Sequence, residues 1–350
     1  MLKFRIERAP SPVWMRPLLP LLAVLITFVI TSVFILLAKA NPLTAYYYYL
    51  TSPFTNRVSM IEILVKATPL ILTGASVTIA FASGYWNIGA EGQLYAGALA
   101  AAWIGTEVGG WHPLLAILAM LLGGFLAGMI WASIPALLKV KLAVDEVVTT
   151  LLLNSVIVFI ISALLNGPWR DPVSGWPQSP TIADSAVFPK LIPRSRLHLG
   201  FVVAVMMVLL IWFILSKTPL GLRMRASGLG QEAARFMGVN IQRTMLIAAL
   251  LSGGIAGLAG VGEVAGIHFH LIDALSNGLG YTGIIAATLG GLNPFGAGLA
   301  AIFLGLLDTG AQSVSRSLGV PIFLGNVVQS TLLLVTLGVF MLQNYRIRRV

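Results

Sequence analysis

Residues 84–97 read Gly-Tyr-Trp-Asn-Ile-Gly-Ala-Glu-Gly-Gln-Leu-Tyr-Ala-Gly and lie between two long apolar runs. Trp86, Asn87, Glu91 and Gln93 bring an aromatic face, two amides and one carboxylate together. A bare charge at membrane depth costs about 2.5–3.5 kcal/mol or more, so Glu91 faces protein or water. Glycines weaken a helix by roughly 1 kcal/mol each relative to Ala. Irregular backbone at that depth survives only where it is buried or lines a cavity. The stretch therefore reads as a bent or interrupted pair of helices around a polar spot. On a helix starting at Asn87, the residues Asn87, Glu91 and Tyr95 recur every four positions and share a face. Two readings stand: a small-residue helix contact that satisfies Glu91, or the lining of a path for solute.

Further polar groups fall in apolar stretches: Asn154, Glu263, Asn293, Asp308, Gln312, Asn326 and Gln329. An uncharged polar solute needs a few such hydrogen-bonding groups among apolar and aromatic walls. Each amide serves equally well as a hydrogen bond between helices. Glu62 and Lys66 lie four apart and can pair on one helix face. His268 and His270 alternate, which raises metal binding or pH sensing. With no third ligand nearby they fall short of a zinc site.

The elements that hold these groups follow from composition. The chain has 350 residues, 57% hydrophobic and 10% charged, with mean hydropathy +0.91. Soluble domains carry about 25% charged residues, so this is an all-α polytopic membrane protein. No cysteine is present, which excludes disulfides, thiolate metal sites and a Cys nucleophile. No phosphate-cradling G-x-x-x-x-G-K-[ST] run occurs, so the chain does not hold and hydrolyse a nucleotide itself. Paired catalytic carboxylates and a supported Ser/His/Asp order are missing too, which argues against a membrane enzyme.

Apolar runs of about 20 residues mark spans. Ten are expected, near 17–38, 60–83, 87–106, 113–138, 146–166, 199–216, 244–265, 279–292, 297–312 and 321–342. The pair 279–292 and 297–312 is short, and reads as re-entrant or half-helices. The first run follows Lys3, Arg5, Arg8 and Arg16 and precedes Ala38-Lys39-Ala40, as in a signal peptide. Its length of about 20 exceeds the 7–15 residues of a signal core, which makes it an uncleaved first helix. Tyr46–Tyr49 suit a membrane interface, where aromatic rings sit at headgroup level. A Pro- and Trp-rich loop fills 167–198. Small residues four apart, Gly253/Gly257 and Gly262/Gly266, let helices approach closely in lipid. Ten spans put both termini on one side. That side holds about two thirds of the 22 basic residues, so both termini are expected in the cytoplasm. The net charge of +10 thus sorts by side of the membrane and does not point to nucleic acid. One domain covers 1–350, with a membrane core over 17–343.

Residues 217–243 form the longest basic loop. Pro219 and Gly221 end the preceding helix, and Gln231–Met237 is a short helix between Gly230 and Gly238. Glu232 lies in its first turn and Arg235 later, which suits the helix dipole. Ala233 and Ala234 make a small face beside Phe236 and Met237. This is either a positive surface loop or a docking knob.

Gln231-Glu232-Ala233-Ala234-Arg235-Phe236-Met237-Gly238-Val239 resembles the E-A-A…G segment of ABC importer permeases. Asn87-Ile88-Gly89-Ala90-Glu91-Gly92-Gln93 resembles a signature of the nucleoside and simple-sugar permeases, which belong with the branched-chain amino acid and ribose group. Val144–Asn154 resembles the start of a span in that group. The resemblance runs from about residue 60 to 340. It implies an importer in the bacterial cytoplasmic (inner) membrane, driven by a separate ATPase that binds the ATP, with no cofactor of its own. It also implies a second related permease or a second copy, and a substrate-capturing lipoprotein. Glu232, Ala233, Ala234, Arg235, Phe236 and Gly238 would couple to the ATPase. Trp86, Asn87, Glu91, Gln93, Asn154, Asn293 and Asp308 are the candidate substrate pathway, and Glu91 carries a functional or gating role through its motif. The competing expectation is a secondary transporter driven by protons through Glu91, Glu263 and Asp308.

Overall fold

The structure, a computed structural model, describes residues 4–8, 18–321 and 323–349. Lys3 and Arg16, which entered the charge reading, lie outside the described residues. The chain folds into thirteen α-helices among the described residues, with one terminal ribbon. The helices are α1 Leu18–Leu37, α2 Pro42–Thr51, α3 Arg57–Ala82, α4 Ala90–Glu107, α5 Pro113–Leu142, α6 Glu146–Asn166, α7 Gly200–Lys217, α8 Pro219–Leu229, α9 Gln231–Phe236, α10 Ile241–Glu263, α11 Leu279–Leu289, α12 Pro294–Leu318 and α13 Leu324–Asn344. Strands β1 Phe4–Arg8 and β2 Tyr345–Arg349 pair antiparallel. The ribbon holds both ends of the chain on one side of the bundle.

Among the described residues, six helices are long and apolar enough to cross a membrane, and α1 with α2 forms a further pair bent by 117°. Helix α4 and the eleven-residue α11 fall short. Each starts just after an irregular or left-handed stretch, 84–89 before α4 and Gly278 before α11, and the polar groups of interest lie at those starts. Helix α12 corrects one expectation, since its 25 residues make a full-length helix and only α11 is short.

Helices α3 and α10 form the centre. In α3, 89% of the most apolar stretch is buried, against 22% in α6, whose apolar side chains face outward. The glycines of α10 let it touch two neighbours through backbone. A side chain at Gly257 would strike the Gly124 carbonyl of α5, and one at Gly97 of α4 would strike Gly257 itself. Gly253 packs on the Gly128 carbonyl in the same way. The second expected pair behaves differently. Gly266 makes room for the ring of His198, 2.5 Å from where a Cβ would stand, and Gly262 makes no close helix contact.

The tyrosine run is also more internal than expected. It forms α2, which folds back beside α1. The Tyr46 ring stacks on Phe28 at 4.4 Å and its hydroxyl donates to the Phe28 carbonyl at 2.6 Å. Tyr49 is buried, whereas Tyr47 is exposed. A phenol buried with a partner for its hydroxyl is stable inside, so the interface reading holds for only part of the run.

Candidate functional site

The stretch that opened the sequence reading is interrupted, but the break lies elsewhere. Gly84 adopts a left-handed conformation, with φ of +80°. The chain then runs irregularly to Gly89, and α4 begins at Ala90. Asn87 therefore does not share a helix face with Glu91, although Glu91 and Tyr95 do share one. Asn87 Oδ1 accepts the Gly89 N–H at 2.9 Å, an Asx turn that competes with helix.

Asn87 and Gln93 exchange two amide hydrogen bonds, of 2.9 and 3.0 Å. Asn87 Nδ2 also donates to Ser252 Oγ of α10 at 2.8 Å. Ser252 Oγ and Ser76 Oγ each donate to the other's carbonyl, at 2.8 and 2.7 Å. This knot joins α3, α4 and α10, and all four side chains are buried.

Glu91 meets a helix end. Its carboxylate accepts the Gly278 N–H at 3.2 Å and the Gly280 N–H at 2.7 Å, at the start of α11. The first N–H groups of a helix have no internal partner and carry partial positive charge. A carboxylate there satisfies both. Asn154 of α6 completes the corner: its Oδ1 accepts the Gly92 N–H at 2.9 Å, and its Nδ2 donates to the Ile88 carbonyl at 3.0 Å and to Tyr281 Oη at 3.1 Å.

Two cavities flank this corner. One, of about 330 Å³, is lined by Glu91, Tyr95, Asn154, Phe159, Asp273 and Tyr281, among others. The second, of about 580 Å³, is lined by Glu62, Lys66, Arg196, Glu263, Asp308 and Gln312, and also by Asn326 and Gln329. Both volumes fall in the range of small-molecule sites, about 300–1,000 Å³. Asn277 lines both, so the segment before α11 is the wall between them.

Ion pairs organise the larger cavity. Lys66 Nζ of α3 lies 2.5 Å from Asp308 of α12, and Arg196 pairs with Glu62. His268 Nε2 is 3.6 Å from Glu263, a contact that is ionic only when the imidazole is protonated. The expected Glu62–Lys66 pair is thus replaced by two pairings across elements. A helical i, i+4 pair is worth only about 0.2–0.5 kcal/mol, so a partly enclosed partner on another element wins. Beside this cavity, in the loop before α7, the buried ring of His198 accepts the Gly200 N–H at Nδ1, at 3.1 Å. Burial pushes the His198 pKa down to about 4.

Of the pathway candidates, the structure brings Glu91 and Asn154 to the smaller cavity and Asp308 to the larger. Asn87 and Gln93 sit in the knot. Trp86 is half exposed against Phe81. Asn293 is exposed and caps α12, its Oδ1 accepting from Phe295 N–H and Gly296 N–H at 3.0 and 3.2 Å. These four line neither cavity. Sequence reasoning passed over Asp273, Tyr281 and Arg196 because they lie in loops or beside them. It also missed α8, although Thr218-Pro219 is a helix-start signal that the structure uses: Thr218 Oγ1 accepts the Gly221 N–H at 3.1 Å.

At one end of the bundle α9 stands out from the surface. Ala234 is buried, while Phe236 is 95% and Met237 70% exposed. Glu232 sits in the first turn and Arg235 in the last. Gly238 closes the helix with φ of +83°.

Comparison with known proteins shows the family. Residues 59–337 match the family described as branched-chain amino acid transport system / permease component. A glucose ABC transporter permease protein from Haloferax volcanii is 34% identical, over 97% of this chain and 92% of its own length. A guanosine ABC transporter permease protein from Bacillus subtilis is 31% identical, over 95% of this chain and 94% of its own. A nucleoside ABC transporter permease protein from Lactococcus lactis is 28% identical, over 90% of this chain and 89% of its own. A multi-pass helical membrane protein with these relatives belongs to the permease-component family of ABC transport systems.

Proposed function

We propose that this chain is the conduit of an ATP-driven importer for neutral, hydroxyl-rich solutes, nucleosides or simple sugars. The observation that carries the reading is α9. A short helix and its closing residue that leave Phe236 95% and Met237 70% exposed, beside one acid and one base, form a surface built to be covered. A separate ATPase covers it, binds the ATP and moves α9, and the connected helices α8 and α10 pass the motion to the interior. The α8–α9 end and the paired termini face the cytoplasm, in keeping with the basic residues of that loop. A substrate-binding lipoprotein docks at the opposite end. A second related permease, or a second copy, completes the channel. The chain carries no ATPase site of its own. The substrate class rests on the relatives, whose names cite glucose, guanosine and nucleosides.

The test is ATP-dependent uptake of labelled guanosine or glucose in vesicles holding all subunits. Glu232→Lys reverses the charge in the first turn of α9, and Gly238→Val strains its closing turn by about 1–2 kcal/mol. Both are expected to lower uptake strongly while the chain still reaches the membrane. Undiminished uptake in both would sink the coupling role of α9.

A further inference from the structure

The smaller cavity holds more hydrogen-bonding capacity than the protein uses, and the surplus has a pattern. Three of its polar groups are spent on the protein itself. Glu91 caps α11. The Tyr95 hydroxyl donates to the Asp273 carbonyl at 2.7 Å and accepts from the Ser276 N–H at 3.3 Å. Both ends of the Asn154 amide are occupied. Ser155 and Asn277 are exposed and keep their side chains for water; Asp273 and Tyr281 are different. The Asp273 carboxylate accepts one long bond, from Ser162 Oγ at 3.3 Å on Oδ2. Its Oδ1 is buried and has no hydrogen-bond partner among the described residues. Across the cavity the Tyr281 hydroxyl accepts from Asn154 and still has its own proton to give.

A buried carboxylate oxygen without a donor costs free energy, so such a group is kept where something else supplies the donor. Here the missing partner must donate to Asp273 and accept from Tyr281. An ammonium or metal cation only satisfies the first. A hydroxyl does both. Oδ1 is closed off from the cavity as the side chain stands, and a turn of the carboxylate about its soft terminal torsion brings it round; two neighbouring hydroxyls then match the two oxygens, and the rings of Phe159 and Tyr281 supply faces for a flat or cyclic body. We infer that Asp273 is a specificity-determining residue of the pathway, accepting hydrogen bonds from a vicinal diol of the passing solute while Tyr281 donates to the same ring. Ribose and hexose rings both present that diol, so one site serves nucleosides and simple sugars. The inference rests on the proposed function and names what the conduit recognises.

The test uses the complete transporter in proteoliposomes, with one binding protein throughout. Initial ATP-dependent uptake is measured for guanosine and for 2′,3′-dideoxyguanosine. The unaltered protein favours guanosine. Asp273→Asn removes the charge but keeps the shape, and is expected to lower guanosine uptake about 10- to 100-fold. It leaves the dideoxy compound nearly unchanged, so the ratio between the two collapses. Asp273→Glu recovers part of the ratio, and Tyr281→Phe lowers both rates by a smaller factor. Ser162→Ala, which loses the long bond to Asp273 and an equally long one from the exposed Asn166 amide, keeps the ratio and serves as the control for folding. If Asp273→Asn keeps the ratio of the unaltered protein, the diol role is wrong and the importer reading survives. If the unaltered transporter takes up neither guanosine nor glucose, the importer reading itself fails and takes the inference with it.

Discussion

The interior has two polar regions that differ in how completely they are satisfied. Around Asn87, Gln93, Ser76 and Ser252, buried groups hydrogen-bond one another and line neither of the two cavities. Around Asp273, Asp308 and Lys66, polar groups border open volumes and several have capacity to spare. A saturated region ties α3, α4 and α10 into one body. An unsaturated region can exchange partners with a solute. The difference separates scaffold from pathway more clearly than residue type, because amides and carboxylates occur in both.

The first way to break the comparison is to attack the scaffold backbone contact. Gly257→Leu puts a side chain into the carbonyl of Gly124, and overpacking of this kind costs about 3 kcal/mol. Little folded protein should be recovered in detergent. Normal yield and an unchanged melting temperature would mean that α5 and α10 can part freely.

Next comes the knot itself. Asn87→Ala leaves the Gln93 amide without a partner in a buried site, while Ser252 keeps Ser76, at a cost of about 1–3 kcal/mol. The melting temperature in detergent should fall clearly. Asn87→Asp tests the same site with a buried charge and should be worse.

Acid tests the packing around His198. Its pKa is about 4 when folded, because of burial, against an ordinary value near 6.5. The unfolded chain takes up the proton first. Stability is therefore full above about pH 6.5 and declines as pH falls toward 4, then levels off. His198→Gln should flatten that part of a stability-against-pH curve. An unchanged slope would remove His198 as the cause.

The smallest stability effect is expected in the larger cavity. Asp308→Asn breaks the pair with Lys66. Asp308 is 41% exposed and Lys66 only 14%, but the new amide oxygen can still accept from the Lys66 ammonium, so the loss in stability should be about 1 kcal/mol or less. Uptake kinetics should change more than the melting temperature does. A large drop in melting temperature would move this pair from the pathway to the scaffold.

Much of this was legible in the sequence, for identifiable reasons. Hydropathy runs located the helices, since each span has to be about 20 apolar residues long. Gly230 and Gly238 bounded α9 within a residue or two. The exposure of Phe236 and Met237 was not legible, because it depends on how α8 and α10 hold the turn. The position of Asn87 was misjudged: its Asx turn with Gly89 was available as a local signal, but helical spacing was given priority. Pairings across elements, such as Lys66 with Asp308 and Glu91 with the start of α11, could not be read at all. They depend on which helices meet. Asp273 was passed over because nothing in its immediate sequence sets it apart from a solvated loop acid.

The most direct measurement of the whole account is accumulation of labelled guanosine in liposomes containing this chain alone, or with an ATPase, a second permease and a binding protein. The account predicts no accumulation by the chain alone. With the full set, uptake should require ATP and ignore a protonophore. Accumulation against a gradient by the chain alone, lost on adding a protonophore, would contradict it and point to proton coupling through Glu91, Glu263 and Asp308.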